Sequence, residues 1–158
     1  MSPVSPYVQD HYPNDYAHCF GCGRSSLTGH RLKTRWESGE GISRYTPGPD
    51  QLSLPGFVYG GLIASLVDCH SMATAAADAE ARAGRAIGEA PAPRFVTGSL
   101  KVDFLKPTPA GVELVVRARV REAGERKSIV EATVEAAGVV TARGEVVAVR
   151  LPESMKRA

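Results

Sequence analysis

Residues 56–70 read GFVYGGLIASLVDCH: a glycine pair, Gly60-Gly61, opens an apolar run in which one carboxylate, Asp68, stands alone. Apolar residues recur at helical spacing from Val58 to about Ala83 with no proline between them, so the stretch is predicted to form one long helix ending near Gly84. At about 100° per residue, Leu62, Ile63, Leu66, Cys69, Ala73 and Ala77 share a stripe. On the opposite side Gly61, Ala64, Ser71 and Ala75 surround Asp68 with small residues, where a solvated face would carry Lys, Glu or Arg. A neighbouring chain, a ligand or both are expected to approach that side closely. Backbone N–H groups left bare at a glycine-rich helix start can hold a phosphate or a developing oxyanion, and Asp68 is the candidate base or nucleophile. Along a helix, however, Gly60 and Asp68 stand about 12 Å apart at 1.5 Å per residue. One chain cannot bring both to one reacting carbon, so an active site built from them takes its halves from two chains.

Upstream of this stretch, RLKTRWE and ISRYTP are short alternating runs joined through Ser38-Gly39-Glu40-Gly41, a hairpin signal, and the turn region Pro47 to Pro55 leads into the helix. Downstream, GEAPAPR at 88–94 reads as a loop and is followed by four strand-like runs. Phe95 to Lys106 alternates, with Val96, Leu100, Val102 and Phe104 on one face and Thr97, Ser99, Lys101 and Asp103 on the other. Val112 to Arg121, Lys127 to Ala137 and about Val139 to Leu151 alternate likewise, with turns at Pro107 to Gly111, Gly124-Glu125 and Ala137-Gly138. Short connections predict an antiparallel meander of these four, with one face buried under the helix. Residues 1–30, rich in Pro, Gly, His and Tyr without periodicity, read as an irregular arm; 31–151 form a single domain and 152–158 a C-terminal tail.

The chain has 158 residues, enough for one domain with a sizeable core, and its 19 Lys and Arg nearly balance 17 Asp and Glu. Neither a nucleic-acid groove nor an acidic tail is written into that composition. No apolar stretch approaches the roughly 18 residues of a membrane span, and MSPVSPYVQDHYPND lacks the features of a secretory signal. Three cysteines, an odd number, fit a reducing compartment better than a disulfide framework, so the expected location is the cytoplasm.

Two early strands, a long helix and four long antiparallel strands follow the order of the hot-dog fold, an α+β architecture in which a curled antiparallel sheet of five to six strands wraps a central helix. CFGCG near the start, the Gly60-Gly61 turn with Asp68, the phrase SLKVDFLKPTPAG and the pair Arg126-Lys127 together resemble the acyl-CoA thioesterase superfamily in its phenylacetate-pathway-type branch, from about Cys19 to Val149. The resemblance implies hydrolysis of an acyl- or aryl-acyl-CoA by a homodimer or dimer of dimers, with no cofactor. It further implies that the N–H of Gly60, with Gly61, holds the thioester oxygen at the positive end of the helix dipole, while Asp68 of the other subunit acts as base or nucleophile. Thr97 matches a hydroxyl that positions water, and Ser53 a polar side chain facing the thioester. Many relatives carry histidine where this chain has Tyr59, whose hydroxyl reaches several ångströms further out. That departure keeps open a second expectation, an acyl-CoA-binding protein without catalysis.

Other candidates follow from residue chemistry. Lys106, Arg126 and Lys127, with Arg94 as another possibility, lie at strand ends where a rim for coenzyme A phosphates would be. Met72 is expected in an acyl tunnel with the arm and the 84–94 loop. Cys69 and His70 do not form a dyad, since adjacent helical residues point about 100° apart; His70 reads as a core or interface residue. His18, Cys19 and Cys22 in HCFGCG could begin a zinc site, but four ligands are the norm and only His11 and His30 are spare. The expectation is therefore a packed cysteine-bearing loop with no metal.

Overall fold

The computed structural model describes residues 2–156. Its elements follow the expected order: β1 (Arg35–Glu37), β2 (Glu40–Tyr45), α1 (Gly60–Arg82), β3 (Phe95–Phe104), β4 (Leu114–Ala123), β5 (Lys127–Ala136) and β6 (Val139–Arg150). The hairpin turns carry backbone suited to them. Ser38-Gly39 and Ala137-Gly138 are both left-handed pairs, with φ of 51° and 76° and of 50° and 78°, as two-residue hairpin loops require. Helix α1 begins at Gly60, two residues later than its apolar pattern, because Tyr59 is extended at φ −70°, ψ 135°. It runs into Gly84, whose φ of 74° turns the chain out of the helix.

All six strands form one antiparallel sheet in the order β1-β2-β4-β5-β6-β3. The expected four-strand meander is corrected here. β4, β5 and β6 are a meander, but β3 pairs with β6 instead of β4 and forms an edge. Residues 105–113 carry the chain back across the sheet. They are held on the way by Leu105 N–H to the Thr141 carbonyl (2.9 Å), Val58 N–H to the Thr108 carbonyl (2.9 Å) and Ala110 N–H to the Gly56 carbonyl (2.9 Å). Alternation tells which face a residue takes but not which strand lies beside it.

The sheet curls around α1 so tightly that a Cβ at Gly144 on β6 would collide with Val67. Leu62, Ile63, Leu66, Val67, Met72 and Ala73 are buried against inward residues Val116, Val130, Val134, Ala142, Val146 and Ala148. Many outward residues of the sheet are charged and pair across strands; Arg121, for instance, donates to Glu131 at 2.7 Å and Glu145 at 2.8 Å. The arm is integral to the core. It forms 3-10 turns at Val8–His11 and Asn14–Tyr16, and Val8, Tyr12, Ala17 and Cys22 are buried. The tail contains a further 3-10 turn, Glu153–Met155, while 157 and 158 lie outside the described residues.

His70 is a core histidine that ties three segments together. Its Nε2 donates to the Gly41 carbonyl (3.0 Å), and its Nδ1 takes the Ser43 hydroxyl at 2.6 Å with Thr34 Oγ1 at 3.2 Å. Gln9 of the arm continues the chain by donating to Thr34 Oγ1 at 3.0 Å. Full burial pushes the imidazole down to about 4, so it stays neutral and keeps this tautomer. Replacing His70→Leu leaves the Ser43 hydroxyl and Gly41 carbonyl buried without it and is expected to cost about 2–4 kcal/mol. Denaturant melts of the two proteins check this; an unchanged midpoint would show the network to be dispensable.

Candidate active site

The helix start offers two backbone donors. Tyr59 caps α1 with no side-chain hydrogen bond, so the N–H groups of Gly60 and Gly61 have no intrahelical acceptor. Phe104, at the far end of β3, lies against this turn: a Cβ on Gly60 would stand 3.3 Å from its ring. The Tyr59 ring folds across Gly61, where any Cβ would collide with the phenol. Ser53 is exposed in the preceding loop, which is closed by Ser53 N–H to the Phe57 carbonyl at 3.1 Å.

Asp68 lies two turns further along α1, half-buried, and its Oδ1 accepts a hydrogen bond from the Thr97 hydroxyl. Burial pushes its carboxyl above the usual range, the Cys19 thiol pushes the same way, and the Thr97 bond opposes them. The Thr97 contact corrects the sequence expectation, which put Thr97 on the face opposite Leu100, Val102 and Phe104. A β-bulge between Thr97 and Ser99 inserts Gly98, so Thr97 pairs with Ala148 while Ser99 pairs with Val147. Thr97 thereby joins Leu100, Val102 and Phe104, whose partners are Val146, Gly144 and Ala142, on the side that faces the helix. Gly98 fits that bulge because a Cβ would come within 2.9 Å of Val149.

The small-residue face also divides differently from its helical projection. Gly61 is exposed, and Ala64, Ser65 and Asp68 are partly so, but Ser71 and Ala75 are fully buried by the chain itself. Over the first turns of α1 the open strip is therefore 61, 64, 65 and 68, and the helix opens again only at its last turns, from Asp78 to Arg82. Met72 stands one turn beyond Asp68, where the strip has closed, and is 4% exposed inside the core.

The basic residues separate into two groups. Lys106 follows Phe104 at the Gly60 end of β3. Arg126 and Lys127 lie at the other end, since Lys127 pairs with Val149, itself the partner of Val96. Arg94 is engaged already, donating to the Phe95 carbonyl at 2.8 Å with its guanidinium 4.7 Å over the Tyr12 ring. Thus the candidate residues fall into one group near each end of β3: Phe104, Gly60 and Lys106 at one, and Thr97, Asp68, Arg126 and Lys127 at the other, about 20 Å apart along the strand.

A group that sequence reasoning missed lies beside Asp68. Cys19 and Cys22 of the arm meet Cys69 of α1, and the three sulfurs all lie within 4.8 Å of one another. The Cys22 and Cys69 thiols hold the Cys19 thiol well below its usual range, with the backbone N–H groups of Cys22 and Gly21 helping. Cys22 is correspondingly pushed up to about 12, first by Cys19, and Cys69 is pushed up by Cys19, Cys22 and burial. His18 is exposed, while His11 and His30 bond Ser5 and Gln51, so none of the histidines considered from sequence joins the group. A buried position for Cys69 was the available signal, but its partners are 47 and 50 residues away and no local pattern names them.

Residues 55–143 match the family model described as Thioesterase superfamily. Among solved structures, a thioesterase superfamily protein from Shewanella loihica PV-4 is 40% identical, with 88% of this chain and 98% of that one covered and a TM-score of 0.65. The E. coli PaaI protein of the phenylacetic acid degradation operon has 18% identity, coverage of 78% and 81%, and a TM-score of 0.63. The smu.793 protein of Streptococcus mutans UA159, solved bound to acetyl CoA, has 18% identity, coverage of 81% and 94%, and a TM-score of 0.65. At 18% the likeness is one of fold. No curated protein gives a significant match.

Proposed function

The chain belongs to the thioesterase superfamily, and from that premise we propose that it hydrolyses an acyl- or aryl-acyl-CoA to the free acid and coenzyme A, in the cytoplasm. One observation carries the reading. A desolvated carboxylate, hydrogen-bonded by Thr97, stands on the open strip along the first turns of a helix whose first N–H groups have no cap. The motifs that resemble the phenylacetate-pathway-type branch, CFGCG and SLKVDFLKPTPAG among them, support the same assignment.

In this reading the two half-sites meet between subunits. β3 is an edge strand, and its exposed apolar residues, Leu100 at 40% and Phe104 at 55%, continue into Leu105 at 49% just beyond the strand and into Phe57 and Tyr59. Such an edge invites pairing with another copy. Antiparallel pairing about a two-fold axis at Lys101, the midpoint of Thr97 and Phe104 once the Gly98 bulge is counted, would set the Phe104 and Gly60 end of one chain against Thr97 and Asp68 of the other. Lys106 would then join Arg126 and Lys127 from the second chain in one rim for the coenzyme A phosphates.

The chemistry is hydrolysis by positioned water. Asp68 takes a proton from water as its oxygen attacks the thioester carbon, and the carbonyl electrons move onto oxygen between the Gly60 and Gly61 N–H groups. Collapse breaks the C–S bond, and the proton on Asp68 passes to the departing thiolate. Thr97 holds Asp68 and retains lone pairs with which to accept from the water. These steps call on no metal or redox cofactor.

One observation favours a second reading, a protein that binds acyl-CoA without cleaving it: the Tyr59 ring lies against Gly61 at the oxyanion turn. The two readings separate in one experiment, in which free thiol is followed with a panel of acyl- and aryl-acyl-CoA esters while binding of the same esters is measured. Turnover with at least one ester is expected. Binding across the panel without thiol release would replace the enzyme by the binder.

A further inference from the structure

We propose that Cys19, Cys22 and Cys69 form a metal site for a thiophilic ion, zinc(II), which fastens the N-terminal arm to helix α1 next to Asp68. A tetrahedral ion with metal–sulfur bonds of about 2.3 Å holds its sulfurs about 3.8 Å apart. Cys19 Sγ and Cys69 Sγ stand 3.8 Å apart, and all three sulfurs fall within 4.8 Å. Convergence of three thiols suits one ion. A disulfide would join two at about 2.05 Å and strand the third.

The loop that supplies two of the ligands is shaped for this. Gly23 N–H closes it onto the Cys19 carbonyl at 2.7 Å. Glycine is required at 21 because a Cβ would strike Cys69 Sγ, and at 23 because one would stand 2.5 Å from the Ala17 carbonyl and the Cys19 nitrogen. The pattern CFGCG therefore acquires a reason: its glycines let the two cysteines close on a helix residue.

The surroundings complete the fit. The Tyr12 hydroxyl is buried, has no partner among the described residues and stands within electrostatic reach of all three thiols. A divalent ion with three thiolates carries one net negative charge, and the Arg94 guanidinium, stacked on Tyr12, supplies the offsetting positive one. Cys19 is half-buried, leaving a fourth position for water on its exposed side. The ion's task is to anchor the arm, outside the hydrolytic step.

The test uses the full chain. Protein purified under reducing conditions should contain about one zinc per chain by elemental analysis, and chelator-stripped protein should bind cobalt(II) with thiolate-to-cobalt charge-transfer absorption. In Cys19→Ser, the variant at the least buried ligand, zinc content should fall below about a tenth of that value, with circular dichroism confirming the fold; Cys69→Ser should behave alike. Stripped wild-type protein that takes up neither zinc nor cobalt while all three thiols remain free overturns the proposal. So does a mass two hydrogens short with one titratable thiol, which identifies a disulfide. Zinc retained by both variants also overturns it.

Discussion

Asp68→Asn is expected to lower kcat for the best acyl-CoA ester by about 10²–10⁴-fold, the contribution of a positioned general base, while leaving the melting midpoint and the oligomeric state unchanged. Asparagine has the same shape, and its carbonyl can still accept the Thr97 hydroxyl, so position is kept and only the proton acceptor is lost. KM should move little, because in the proposed mechanism the group acts on water and not on the ester's ground state. Steady-state thiol release and sedimentation read the two halves of this expectation. Turnover within a factor of about three of wild type would remove Asp68 from the chemistry, whatever its burial.

Gly60→Pro tests the other half-site with equal directness. Proline at the first helical position keeps the helix, and Tyr59 before it is already extended at ψ 135°, the conformation that a residue preceding proline prefers. The Phe104 ring need yield only slightly, since an added Cβ meets it at 3.3 Å. What disappears is one N–H at the oxyanion turn, and turnover should fall by about 10²–10³-fold. Mixing is the decisive step. If each site draws Gly60 from one chain and Asp68 from the other, Gly60→Pro and Asp68→Asn chains unfolded together and refolded should recover about a quarter of wild-type activity through the one intact site of each mixed dimer. A mixture as inactive as its parents would place both groups in one chain or neither in the site.

The sequence made the architecture legible wherever local chemistry decides it. Hairpins at Ser38-Gly39 and Ala137-Gly138 follow from turn residues that tolerate positive φ, and α1 from a long proline-free apolar run. The position of β3 was not legible, because pairing with β6 is a long-range choice and its alternation would serve beside either neighbour. Thr97 illustrates the cost for the site. Counting by twos turns it away from the helix, and the single extra residue of the Gly98 bulge turns it back toward Asp68. Ser71 and Ala75 were placed by helical projection on an open face, but the chain itself covers them, as it does Met72, which was expected in an acyl tunnel.

Residue order alone determined the fold class, the helix with its bare glycine start, the isolated carboxylate and the 12 Å that separates them along a helix axis. These follow from backbone conformations and periodicities that span a few residues. Tertiary structure decided which strand became the edge, which side of β3 met the helix, and that Cys69 would join two cysteines of the arm. Such contacts join residues far apart in the chain, and their energy comes from burial and pairing that no short window of sequence contains.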